Sequence, residues 1–290
     1  MEITNSDPVS SGRLRYAWLG LRFKLTYLLL KFFSNSIFFT LNQVWPYRQK
    51  IILKNFSLAF PHITNTDKSI LLKKYYRHIS DLLVEPFLMA QVEKRNVGQY
   101  IQYENLSLLH QLLSQKKSIV LMASHYGNWE YLLTLPLFTS YRVMAAYSPI
   151  SNRRIDSRMR KMRNKYGVVL IDKSEFYRHI LRNEVDVPTI YLVISDQRPA
   201  KGCKQSVLFL NQRTTIPNGG AKIADKRDCA VVYLDVKKKS RFKYSYTFDL
   251  ISDGGNLPDS DQIMSAYYEK LEESIQEEPE FWLWSHDRWK

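Results

Sequence analysis

Apolar positions along the chain follow two rhythms. Between Asp67 and Val92 they recur at helical spacing, with Thr64 or Asn65 placed to cap the start. Ser260 to Glu278 has the same rhythm on an acidic background and stops before Pro279. Short runs of strand length intervene: Ser118–Ala123, Tyr141–Tyr147, Val168–Ile171, Thr189–Ile194, Ser206–Phe209 and Ala230–Val236. Strands separated by helical stretches predict an α/β fold with a central mixed sheet flanked by helices.

The N-terminal part has a different pattern. Residues 1–12 are polar, contain Pro8 and Gly12, and are expected to be irregular. Leu14 to Tyr47 is rich in Leu, Phe, Tyr and Trp, punctuated by Arg15, Arg22, Lys24 and Lys31 and followed by Arg48. Lys31 is the only charge from Leu25 to Tyr47, which suffices for a tilted membrane span. Ser34, Asn35, Ser36, Asn42 and Gln43 make it a poor one. Aromatics mixed with long basic side chains fit an interfacial helix better. The expected organisation is a membrane-associated helical annex over residues 1–54 and a catalytic domain over 55–290.

Charge sharpens this picture. With 42 Lys and Arg against 28 Asp and Glu the chain carries +14, and 45% hydrophobic residues over 290 positions can form a sizeable core. Seven of the basic residues fall between Arg153 and Lys165, against Asp156 alone, whereas Asp249 to Asp287 holds eleven acids and one Lys. A polarised molecule of this kind presents a basic face to polyanions such as anionic lipid. A nucleic-acid binder would share the charge, but its aromatics would not be concentrated in apolar runs, and no such partner is expected. Cys203 and Cys229 lack neighbours at metal-ligand spacing, so neither a disulfide framework nor a metal site is expected. The N-terminus lacks the features of a secretory signal, which predicts a cytosol-facing protein.

The residues with chemistry follow the first apolar run. Ser124-His125-Tyr126-Gly127-Asn128-Trp129-Glu130 begins where that strand ends. On a continuous helix His125 and Glu130 would point about 140° apart. A bend at Gly127-Asn128 can bring them together, letting Glu130 orient the imidazole and leaving the other ring nitrogen to take a proton from an alcohol. The helix expected to start near Trp129 would offer backbone N–H groups to an oxyanion. No G-x-S-x-G elbow supplies a serine nucleophile.

HYGNWE at 125–130 stands where glycerolipid-type acyltransferases carry an H-x4-D/E motif. From about Trp45 to Lys290 the chain resembles the bacterial lipid A biosynthesis (late) acyltransferase family. The marks are Arg48, Lys54-Asn55-Phe56, Phe60-Pro61, HYGNWE, Ser195-Asp196-Gln197, Phe209-Leu210-Asn211, Gly219-Gly220 and the ending Trp284-Ser285-His286-Asp287-Arg288-Trp289-Lys290. The resemblance implies acyl transfer from acyl carrier protein (or CoA) to a hydroxyl of a phosphorylated lipid A precursor or a related membrane lipid, since some relatives modify lipids other than lipid A, such as an aminolipid. It places the enzyme at the cytoplasmic face of the inner membrane, with no cofactor or metal. It also implies His125 and Glu130 as the catalytic pair, with Asn128, Asp196, Gln197 and a downstream arginine at the substrate. Arg158, Arg160 and Arg163 all fit that arginine; Arg163, just before Lys165-Tyr166-Gly167, is favoured over Arg160. Two departures stand out: Asp287 replaces a usual basic residue, and the N-terminal anchor is less apolar than the family's.

Overall fold

The computed structural model describes residues 8–182, 187–199, 202–255 and 259–290; the first seven positions of the expected irregular segment lie outside them. Helix α1 (Pro8–Phe39) continues through a π turn at Thr40–Val44. Helix α2 (Gln49–Ala59) runs without a break across residue 54 and buries Ile52, Asn55 and Phe56. Helix α3 (Asn65–Gln91) is capped by Thr64, whose hydroxyl accepts the Asp67 N–H at 3.1 Å. Strand β1 (Ile101–Glu104), helix α4 (Leu106–Ser114), strand β2 (Ile119–Ala123) and strand β3 (Arg142–Tyr147) come next. They are followed by α5 (Arg153–Asn164), β4 (Val169–Asp172), α6 (Lys173–Arg182) and β5 (Thr189–Ile194). The chain closes with β6 (Ser206–Phe209), β7 (Gln212–Thr215), α7 (Gly219–Arg227), β8 (Ala230–Ser240), β9 (Lys243–Ser252) and α8 (Ser260–Glu277).

Seven strands form one sheet in the order β1-β9-β8-β2-β5-β3-β4, with β6 and β7 as a separate hairpin. Strands β8, β2, β5, β3 and β4 are parallel, whereas β9 runs antiparallel to β8, so the sheet is mixed. Every residue of β2 is buried, as a central parallel strand covered on both faces requires. Its register with β5 pairs Ala123 with Ile194. The residues just beyond those two strand ends, His125 and Asp196, therefore emerge side by side. Helix α8 secures this end of the sheet. The hydroxyl of Tyr267 donates to Ala123 O and that of Tyr268 to Ser195 O, each at 2.8 Å.

Of the polar residues that interrupt the N-terminal apolar run, Ser34 is buried, whereas Asn35, Ser36 and Gln43 are exposed. Ser34 Oγ donates to buried Asp81 (2.7 Å), and Asn35 Oδ1 accepts from Arg77 and Arg241. The opposite stripe of α1, comprising Leu25, Leu28, Leu29, Phe32, Phe33 and Phe39, is exposed. Among the described residues no helix is long and apolar enough to cross a membrane.

Candidate active site

The turn after β2 is held from several sides. Gly127 adopts φ +63°, and a Cβ there would come within 2.5 Å of Val236 Cγ1, so the position excludes side chains. Its N–H donates to Phe281 O (3.0 Å), and Tyr126 forms a bridge with Trp282. Asn128 Oδ1 caps the 3-10 helix Trp129–Leu137 by accepting the Tyr131 N–H (3.1 Å). The Asn128 side-chain amide donates to Glu85 Oε2 (2.5 Å), and the Asn128 backbone carbonyl accepts the Tyr246 hydroxyl (2.6 Å). Asn128, expected at the substrate, is instead fully buried and holds the turn in shape.

His125 is held by Asp196. Its backbone N–H donates to Asp196 Oδ2 (2.9 Å), and its Nδ1 lies 2.7 Å from Oδ1. A carboxylate can only accept, so the proton is on Nδ1 and Nε2 carries the lone pair. Trp282 Nε1–H also donates to Asp196 Oδ2, at 2.9 Å. Burial alone would raise the Asp196 carboxyl. The electrostatic interaction with His125 and the hydrogen bonds from His125 and Trp282 outweigh it and hold the group below the ordinary carboxylate value. The Trp129 ring packs edge-on against the imidazole, with centroids 4.8 Å apart. Gln197 Nε2 donates to His125 Nε2 at 3.2 Å, which marks the place a reacting hydroxyl would occupy.

Glu130 does not orient His125 as its spacing suggested. It lies in the first turn of the 3-10 helix and faces α5, where Arg163 meets it through two bonds, Nη2 to Oε1 (2.5 Å) and Nε to Oε2 (3.1 Å). The bend expected at Gly127 is present, but the neighbouring strand already supplies a carboxylate at Nδ1. Arg163 is thus the arginine tied to the motif. Arg160 is exposed, its guanidinium 5.4 Å from the Tyr147 ring centroid, and Arg158 is solvent-facing. Sequence reasoning missed Trp282 and Glu85. Trp282 lies two residues ahead of the C-terminal motif, in the run Phe281-Trp282-Leu283-Trp284.

Among the described residues no serine or cysteine side chain is hydrogen-bonded to the imidazole, whose polar partners are Asp196 and Gln197. Ser124 Oγ is buried without a hydrogen-bond partner among the described residues. Burial pushes the Cys229 thiol up to about 12, which keeps it protonated and unreactive. Among the described residues no group of three or more His, Cys, Asp or Glu is arranged to hold a metal ion.

The Lys54-Asn55-Phe56 and C-terminal marks pack against each other. Asn55 Nδ2 donates to the carbonyls of Trp284 (2.8 Å) and His286 (2.9 Å), while Phe56 packs edge-on against Trp284. Asp287, the departure from the family pattern, pairs with Lys54 at 3.3 Å. The adjacent Arg288 is buried and donates to Thr215 O (2.7 Å).

Residues 12–290 match the family described as bacterial lipid A biosynthesis acyltransferase. A lipid A biosynthesis palmitoleoyltransferase of Escherichia coli (strain K12) is 20% identical over 274 residues, covering 94% of this chain and 88% of the relative. A lipid A biosynthesis acyltransferase of Shigella flexneri matches with the same identity and coverage.

Proposed function

Because the chain belongs to the bacterial lipid A biosynthesis acyltransferase family and is an acyltransferase, we propose that it esterifies a hydroxyl of a lipid A precursor. The acyl chain comes from an acyl carrier protein thioester, and His125 is the general base. The observation that carries this reading is the polarity of the imidazole: Nδ1 is anchored by Asp196 and Nε2 points its lone pair at Gln197.

In this mechanism the lipid hydroxyl displaces the Gln197 amide and gives its proton to Nε2 as its oxygen attacks the thioester carbonyl carbon. Ionised Asp196 stabilises the imidazolium that forms. Collapse of the tetrahedral intermediate breaks the carbon–sulfur bond, and the imidazolium returns the proton to the departing thiolate. Glu130 and Arg163 fix α5 against the motif and set the wall of the site.

The enzyme works at the cytoplasmic face of the inner membrane. The exposed stripe Leu25, Leu28, Leu29, Phe32 and Phe33 supports interfacial anchoring through α1. The solvent-facing cations of α5 (Arg153, Arg154, Arg158, Arg160 and Lys161) suit an acidic carrier or anionic head groups. The test supplies purified protein with isotope-labelled acyl carrier protein and a lipid A precursor, then reads products by mass spectrometry. A precursor heavier by one acyl chain is expected. Release of free fatty acid at an equal rate without acceptor would make the protein a hydrolase instead.

A further inference from the structure

A cleft of about 560 Å³ opens between α1, α3 and the far end of β8, outside the His125 site. Lys73, Lys74, Arg77 and Lys238 line it, and Glu280 is the one carboxylate among the lining residues. Lys74 pairs with Glu280 at 3.3 Å, and Lys238 with buried Asp81 at 3.1 Å. Arg241 also spends itself on Asp81, at 2.9 Å. Lys73 has neither a hydrogen bond nor an ion pair among the described residues. Arg77 has no carboxylate bonded to it: it donates to the neutral Asn35 side chain and lies 3.8 Å from the Phe38 ring centroid. Burial and the neighbouring charge of Arg241 both disfavour its guanidinium charge and outweigh the attraction of Asp81, which is already bonded to Lys238 and Arg241. The floor is His78, kept neutral by burial and by Lys238. The cleft therefore holds more positive charge than its own carboxylates neutralise.

Its walls are apolar. Phe38, Ile70 and Phe281 contribute them, and Ile70 is exposed. Phe38 directly precedes Phe39 of the exposed α1 stripe, so the cleft borders the surface expected to meet lipid. A concave site with unneutralised cations at the edge of an apolar surface fits a phosphate group carried on an acyl-bearing lipid. The opposite wall leads to the catalytic turn. Phe281 O accepts the Gly127 N–H, and the next residue, Trp282, bonds Asp196. A head group lodged against Phe281 would thus lie on the segment that braces the His125 turn.

We propose that this cleft is a subsite for the phosphate of a phosphorylated membrane lipid, and that it holds the acceptor while its hydroxyl reacts at His125. The second half rests on the acyl-transfer reading; the first half does not. Lys73 and Arg77 are the residues through which the phosphate is bound.

The experiment has a binding arm and a turnover arm. In the first, the full chain is titrated calorimetrically with short-chain phosphatidic acid, short-chain phosphatidylcholine and inorganic phosphate. Phosphatidic acid is expected to bind at one site, with the neutral-headgroup lipid and inorganic phosphate at least tenfold weaker. Lys73→Gln, an exposed change that leaves the fold alone, should weaken phosphatidic acid roughly fivefold, and Arg77→Gln by at least as much. Equal binding of inorganic phosphate would mean a free-anion site, and unchanged affinity in Lys73→Gln would place the phosphate elsewhere; either overturns the subsite. In the second arm, Lys73→Gln should raise KM for a phosphorylated acceptor about fivefold at constant kcat and leave a dephosphorylated acceptor unaffected. Equal effects on both acceptors would overturn the role of the cleft in acceptor binding. Absence of transfer by wild-type protein, with the binding arm intact, would instead refute the acyl-transfer reading alone.

Discussion

Asp196 Oδ1 lies 2.7 Å from His125 Nδ1, and the same carboxylate accepts the His125 backbone N–H through Oδ2. One buried side chain from the end of β5 therefore fixes both the ring and the backbone of the residue at the end of β2. Glu130, five residues from His125 in sequence, is engaged by Arg163 instead.

This arrangement ranks the two carboxylates. Asp196→Asn removes the charge that sets the tautomer and supports imidazolium, and should lower the turnover rate by roughly 10²–10⁴-fold. Glu130→Gln keeps a hydrogen-bonding partner for Arg163 and should cost much less. Steady-state rates of both purified variants give the comparison. A greater loss for Glu130→Gln would return the orienting role to the motif carboxylate.

A second expectation concerns the support beneath the turn. Burial pushes the Glu85 carboxyl up from 4.5 to about 7, although Tyr244 and Asn128 donate to it and Lys238 lies near. Between those two values the folded chain keeps a proton that the unfolded chain has released, so this group's stabilisation falls as pH rises through the window and stays lost above it. Glu85→Gln has no such proton. Denaturant midpoints measured from pH 4.5 to 8 should therefore fall less steeply in the variant than in wild type. Parallel curves would show that Glu85 titrates normally.

The strands Thr189–Ile194 and Ser206–Phe209 were readable to the residue because apolar or β-branched runs end at turn-forming positions. Strand β9 was not recognised, although Tyr244, Tyr246 and Phe248 alternate inward along it, because polar partners between them mask the apolar run. Four-residue β1 is too short to carry a period. His125 could be identified from a local motif. Its partner could not, because the meeting of His125 with Asp196 depends on β2 pairing with β5, a contact between segments some seventy residues apart. Local spacing favoured Glu130. Asn128 likewise resembles a site residue by its place in the motif, because its bond to Glu85, from α3, is a long-range contact that local spacing does not carry.

The α1 stripe should anchor the protein to lipid. Leu28 and Phe32 are both more than half exposed, so replacing them with Ser removes no core contact. The double variant should bind anionic vesicles roughly tenfold or more weakly in a sedimentation assay, with thermal unfolding unchanged. Wild-type binding by the variant would move the membrane contact off this helix.

Catalysis should proceed without an acyl-enzyme. Wild-type protein incubated with labelled acyl donor and no acceptor, then denatured, should retain no stoichiometric label. Ser124→Ala, Cys203→Ser and Cys229→Ser should each turn over normally. Stoichiometric label that disappears together with turnover in one of them would establish a two-step reaction through that residue.

The most direct test of the account is the rate of acyl transfer by His125→Ala, measured on purified, folded protein with acyl carrier protein donor and lipid A precursor. Loss of the base should lower the rate by roughly 10²–10⁴-fold while vesicle binding and thermal stability persist. A variant that folds and still retains more than about a tenth of wild-type activity would contradict the assignment of His125 as general base.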